Sequence, residues 1–317
     1  MRAAFVAAIA VLAAGSVSTS GLAQTVGIGT TQGGATNQVA TAIATVVSAK
    51  AGGLQMRPQP YANTAQYIPV VNAGRLEFGV SNVVQALYAA KGEGMSAGRP
   101  HPDLRLVAVL FPFEATLFVA EKSGIKSMAD LKGRSVPTFT EDSLGDFIMK
   151  GFLANAGVPY EQVKTVKVPN FPRMWDAFKE GAVDTMIATV GSRPTFEAKA
   201  ALGELVALPI DPRPARMEEL RKFLPQAYAV EVKADPKLPG MAADRFVMAF
   251  DYVLWAHKGV ADEIVAKVAR ALFENPADLH ASAPIWRGFR PDGMAKDVGL
   301  PWHPGAAAFL KEKGLLK

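Results

Sequence analysis

The chain has 317 residues, half of them hydrophobic, no cysteine, and a formal net charge of +5. The missing cysteine excludes disulfides, thiol nucleophiles and thiolate metal sites. The Lys and Arg residues are scattered among acids with no basic run and no interleaved aromatics, which argues against a nucleic-acid surface and fits small anionic ligands.

Arg2 precedes an apolar run, Ala3 to Ala14, that is too short to span a bilayer, and Gly21-Leu22-Ala23 sets small residues at −3 and −1 of a cleavage site. The pattern predicts a secretory signal over residues 1–23, cleaved after Ala23. Cleavage removes one Arg and no acid and leaves 294 residues, enough for two domains. With no cysteine near the site and no later stretch apolar enough to span a membrane, the mature protein is expected in the periplasm, neither lipid-anchored nor membrane-spanning.

Val26 and Ile28 then run into a turn rich in Gly and Thr, residues 27–37. Val39, Ile43, Val46 and Val47 follow on one face of a helix. A turn from a buried strand into a helix N-terminus offers free N–H groups and the positive dipole end, which suits an anion. Thr30, Thr31, Gln32, Gly33, Thr36 and Asn37 add neutral donors and acceptors, with no acid, base or thiol among them. The dinucleotide fingerprint needs a third glycine where Gln32 stands, and no Walker lysine follows, so neither nucleotide motif is present. An ordinary strand–helix turn fits the same residues.

Residues 55–60 read as a strand and turn. Asn63 or Thr64 caps a helix carrying Tyr67, Ile68 and Val71, which Gly74 ends. Leu76 to Val80 is a strand, followed by Ser81-Asn82 and a helix through Tyr88, then a Gly/Pro-rich loop over 91–103. Two separate strands are expected at Leu104–Leu110 and Leu117–Ala120. A second unit begins near Ser123. Ser127 caps a short helix, Ser135 to Phe139 is a strand, and the turn Thr140–Ser143 leads into a helix with Leu144, Phe147, Ile148 and Phe152 in line. Ser143 and Asp146 resemble a capping box, and Gly157 is the stop. Further strands are expected at 163–168, 185–190, 205–210 and 246–255, and helices at 174–179, 195–201 and 260–273 and near Leu279 and Ala306. Residues 211–225, rich in proline and charge, read as a connection.

Strands alternating with helices predict an α/β fold with parallel-type sheets, whose ligands sit at the C-terminal ends of strands. The polar strand ends give the candidate ligand residues: Thr30, Thr31, Gln32, Gly33, Thr36 and Asn37; Asn63; Ser81 and Asn82; Thr138, Thr140 and Ser143; Thr189, Gly191 and Arg193. Arg193 either clamps a carboxylate or lies exposed. Phe111, Phe113, Phe139 and Phe171 are core or pocket wall, and Glu141 and Asp142 are solvated, capping, or partners of a ligand amine. The four histidines are dispersed, and no nucleophile–base pair or metal set is visible. No catalytic residue, metal or cofactor is expected.

Ser123-Gly-Ile-Lys-Ser-Met-Ala-Asp-Leu-Lys-Gly-Arg-Ser-Val136 resembles a segment of type II periplasmic solute-binding proteins. The opening Gly27–Gly34, Asn72–Asn82, Trp175–Met186, Ala271–Asn275 and His303–Gly314 resemble, in order, segments of the TAXI family, the solute receptors of one class of TRAP transporter. The chain departs from that pattern at Ala35-Thr36-Asn37, where the family has an aromatic, at Asn82, which replaces an acid, and at Thr138–Ser143, which carries two acids. The resemblance implies a two-lobed type II periplasmic-binding-protein fold with a ligand cleft between lobes. Lobe 1 would hold residues 24–113 and 228–317, lobe 2 residues 114–227, and the cleft would close by bending at the crossings. It also implies a small organic acid or amino-acid-like ligand, no cofactor, and TRAP permease membrane subunits as partners. A receptor for an ABC transporter or a sensor kinase is the alternative.

Overall fold

The computed structural model describes residues 23–317; the predicted signal lies outside them except for Ala23. The elements run β1 (Gln24–Thr31), α1 (Gly34–Lys50), β2 (Leu54–Tyr61), α2 (Thr64–Asn72), β3 (Phe78–Asn82), α3 (Val83–Lys91) and the long β4 (Leu104–Ala120). Next come β5 (Ser135–Thr138), α4 (Leu144–Ala156), β6 (Lys164–Lys167), α5 (Phe171–Lys179), β7 (Met186–Thr189), α6 (Arg193–Leu202), β8 (Leu205–Ala207) and α7 (Pro214–Arg221). The chain returns through β9 (Tyr228–Val232) and β10 (Arg245–His257) and closes with α8 (Asp262–Glu274), α9 (Pro276–Ser282) and α10 (Pro304–Glu312).

One sheet runs through the molecule in the order β2-β1-β3-β10-β4-β7, with β8 added to β4 and β9 to β10; β5 and β6 form a separate pair. The parallel-type expectation is corrected. β1 is parallel to β2 and β3, and β5 to β6. β10 is antiparallel to β3, β4 and β9, and β4 is antiparallel to β7 and β8. Every antiparallel pair involves β4 or β10, the two long strands that lie side by side in the middle of the sheet.

The two strands expected at 104–110 and 117–120 are one strand of 17 residues. Pro112 falls opposite Asp251, and the register shifts between Asp251 and Val253, so a bulge absorbs the missing proline N–H. The connection over 211–225 contains α7, with Pro214 in its first turn and only Met217 and Leu220 buried. Two apolar positions among charges gave the sequence reading no stripe to follow. α5 starts at Phe171 rather than Met174, because Asn170 caps it and Pro172 sits in its first turn.

Trp255 anchors the core between the lobes' sheet and α2. It is fully buried, stacks on Tyr67 at 6.0 Å, and lies against Gly79, where an added Cβ would come within 2.3 Å of the indole. Tyr67 in turn donates to the Val80 carbonyl at 2.5 Å.

The His303-Pro-Gly stretch is structural. Residues 301–303 pair with Leu106, and His303 Nδ1 accepts from the Gly305 amide at 3.3 Å to cap α10. Gly305 rests against the Asp262 backbone, where a Cβ would lie 2.2 Å from the carbonyl oxygen. His303 is buried, and burial lowers its pKa despite the Asp262 carboxylate nearby. The unfolded chain therefore binds a proton that the native state excludes, so stability is full above about pH 6.5 and falls below it. His303→Asn keeps a capping side chain but cannot titrate. It should flatten the loss of melting temperature between pH 7 and 5; an identical slope in the variant removes His303 as its source.

Candidate functional site

The N-terminal ends of α1 to α6 all reach one cavity of about 210 Å³ between the lobes, α6 through its N-cap Ser192. From the first lobe come Gly33, Gly34 and Thr36, then Asn63 and Thr64, then Asn82 and Gln85; from the second come Ser143 and Leu144, Asn170 and Phe171, and Ser192. Helix N-termini carry free N–H groups and a partial positive charge, and here they converge. Asp142 is the single charged residue among the described residues lining the cavity; Lys, Arg and His contribute none.

The helix starts are not equivalent. Asn82 Oδ1 accepts from Gln85 N at 2.9 Å, Ser143 Oγ from Asp146 N at 3.4 Å, and Asn170 Oδ1 from Arg173 N at 3.0 Å. α6 gives its first N–H to Gln38 Oε1 at 2.9 Å. α1 and α2 have no side-chain cap and no acid in their first turns. A cap occupies one N–H of the first turn, so α1 and α2 keep the most amides free to meet a ligand.

Tyr252 on β10 is buried behind α1, and its hydroxyl lies 3.1 Å from that of Thr36. Burial holds the phenol far above its ordinary range, so it stays protonated. Two hydroxyl groups bonded to each other spend one proton and keep one to donate. Much of the remaining wall is apolar, with a cluster of aromatic rings. Phe139 and Phe171 lie 5.2 Å apart, Trp175 6.2 Å from Phe171, and Phe113 4.9 Å from Tyr252. The Trp175 N–H is bonded to the Ile187 carbonyl at 3.0 Å, so the indole faces the cavity as an apolar surface.

The lobes touch over this site. Gly34, at φ 76°, lies under Trp175, and a Cβ there would come within 2.4 Å of the ring. Arg287, beyond α9, bonds the Val190 carbonyl and pairs with Glu114 on β4.

Of the residues expected from sequence, Thr31, Gly33, Thr36, Asn63, Asn82, Ser143 and Thr189 line the cavity. The others lie outside its lining, for visible reasons. Thr30 is buried and donates to the Thr36 carbonyl at 3.1 Å; Asn37 donates to the Thr31 carbonyl at 2.9 Å. Gln32 and Thr140 are exposed, and Thr138 stops one residue short of Phe139, which does line the cavity. Gly191 packs against Leu238 and Pro284. Arg193 is exposed and pairs with Glu197 at 2.7 Å, the outcome its i,i+4 spacing allowed. Asn82, the departure from the acid of the TAXI pattern, is turned onto Gln85 through both its oxygen and its nitrogen.

Ser81 is a correction. Its hydroxyl accepts from Trp255 Nε1 at 3.0 Å and donates to the Asn82 carbonyl at 3.0 Å, in the core beneath the cavity. Ser81→Ala strands the buried indole N–H and should cost about 1–3 kcal/mol of stability. Urea denaturation measures this; undiminished stability would show that the indole finds another partner.

The sequence reading missed Asn170, Trp175 and Tyr252. Asn-Phe-Pro at 170–172 is a helix-start signal that could have flagged the first. Nothing marks Tyr252 inside an apolar run.

Comparisons with known proteins agree on the fold. MatC (Rpa3494) from Rhodopseudomonas palustris with bound malate matches with a TM-score of 0.56 at 18% identity, over 85% of this chain and 93% of that one. PhnD1 from Prochlorococcus marinus in complex with methylphosphonate gives 0.53 at 10% identity, over 92% and 99%. The BvgS VFT2 domain from Bordetella pertussis gives 0.50 at 14% identity, over 83% and 93%. The architecture is the two-lobed periplasmic-binding-protein fold that the resemblance implied. Residues 28–314 match the model of the NMT1-like family, and the chain belongs to that family.

Proposed function

We propose that this protein is an extracytoplasmic solute receptor that encloses a small organic anion between its lobes and presents it to a membrane permease. The observation that carries the reading is the convergence of α1 to α6 on one cavity that no cationic side chain lines among the described residues. Backbone amides and hydroxyls then hold the anion without committing to chemistry on it. Two of the matched folds hold small anions, malate and methylphosphonate. No helix among the described residues is long and apolar enough to cross a membrane.

The ligand set comprises Thr31, Gly33, Thr36, Asn63, Asn82, Ser143 and Thr189. The lobes divide at 113/114 on β4 and at 227/228 before β9, and these crossings bend as the cleft closes. The TAXI-like segments favour a TRAP permease as the partner. A receptor for an ABC permease would share the cavity and differ in the membrane protein it contacts.

Native mass spectrometry of protein taken from the periplasm tests the reading. One small-molecule adduct per chain is expected, released intact after long incubation. Re-adding the released compound at a hundredfold excess over its dissociation constant should stabilise the fold by about 2.7 kcal/mol. Turnover of the compound rejects a receptor. Crosslinking in membranes identifies the permease, and an ABC subunit in place of a TRAP subunit overturns the TRAP assignment alone.

A further inference from the structure

The cavity has a polar end and an apolar end, and this narrows the solute. Building on the receptor reading, we infer that the enclosed anion carries a single negative charge on a flat apolar body, as an aromatic monocarboxylate does, and that dianions and zwitterionic amino acids are disfavoured.

The polar end lies on the first lobe. α1 and α2 present uncapped first turns, and Gly33 and Gly34 leave the α1 amides unshielded by any Cβ. The Thr36–Tyr252 hydroxyl pair supplies one more proton at the same end. That set can meet one carboxylate. A second carboxylate finds no cation in the lining, and cations on the neighbouring segments are already paired: Arg287 with Glu114, Arg193 with Glu197, and Lys150 with Asp146. An ion taken from water without a partner is strongly disfavoured.

An α-ammonium group fails for the complementary reason. It adjoins the carboxylate, so it would face the same positive helix ends. Asp142, the one acid lining the cavity, sits exposed across the cleft on the other lobe.

The apolar end lies mainly on the second lobe. α4 and α5 are already capped by Ser143 and Asn170, and the first α6 amide by Gln38, so those helix starts offer fewer donors. Between them stand Phe139, Phe171 and Trp175, the last with its N–H spent on Ile187. Rings at these spacings favour an inserted flat group that stacks or meets them edge-on.

Calorimetry with ligand-stripped full-length protein and matched probes tests the inference. 3-Phenylpropionate should bind at least tenfold tighter than phenylalanine, which adds an ammonium, than phenylsuccinate, which adds a carboxylate, and than 3-phenylpropanamide, which removes the charge. Affinity should also rise from butyrate to 3-phenylpropionate, and Phe171→Ala should abolish that rise while butyrate still binds. Equal or tighter binding of any of the three analogues overturns the inference, as does silence of butyrate, 3-phenylpropionate and indole-3-acetate together. Binding of malate or glutamate alongside that silence overturns the solute class and leaves the receptor standing. Silence of every organic anion, with no adduct in the native protein, removes both.

Discussion

Trp255→Ala should destabilise the protein by about 3–5 kcal/mol, the range for emptying a buried aromatic site. Trp255 is fully buried and touches three parts of the fold that cannot refill its space. Tyr67 stacks on one face, Gly79 lies against the ring, and Ser81 receives its N–H. Each belongs to an element that ends at the cavity: α2 holds Tyr67, and β3 holds Gly79 and Ser81. The loss should therefore appear in folding and in ligand affinity together. Urea denaturation checks the first, with the midpoint falling at an unchanged slope. Trp255→Phe, which keeps a ring and loses the N–H, should fall between the variant and the parent. A fully stable Trp255→Ala protein would mean that the packing around the indole is looser than the structure shows.

Gly34→Ala should weaken solute binding by roughly 5- to 150-fold, because overpacking of a closed contact costs about 1–3 kcal/mol and 1.4 kcal/mol is a factor of ten. The added methyl collides with Trp175 only when the lobes meet, so the penalty falls on the closed form. A second cost, the left-handed backbone at φ 76°, is shared by open and closed forms and lowers stability by about 1–2 kcal/mol. The two are separable. Trp175→Leu makes room for the methyl, so the double variant should recover affinity but not stability. Small-angle scattering should show Gly34→Ala still extended at a solute concentration that compacts the parent, and compacting only at higher concentration. Unchanged affinity would show that closure does not bring these residues together.

Much of the fold was legible because its local signals agree. The glycine and threonine turn before the Val39–Val47 stripe, and Gly157 after α4, mark their elements whatever surrounds them. What stayed hidden depends on distant partners. β10 is buried on both faces, so its residues do not alternate, and Tyr252 is indistinguishable in sequence from the core positions beside it. Ser81 and Thr36 are both hydroxyl residues near a strand end; one faces Trp255 and the other Tyr252, and only the antiparallel return of β10 decides which. Helix starts were easier to locate than to rank. That α1 and α2 are free while α3, α4 and α5 are capped follows from side-chain rotation, which spacing does not encode.

The single sheet that runs through both lobes has a consequence for how the molecule is made. β10 pairs with β3, β4 and β9, and β4 pairs with β7, β8 and β10, although β4 and β10 lie far apart in the chain. Cut away from β4, β7 and β8 would each lose the strand they pair with, and β9 likewise without β10. No contiguous half of the chain thus completes this sheet on its own. The native sheet forms only when the last third of the chain reaches back to the first, a non-local step that places this protein among slow folders.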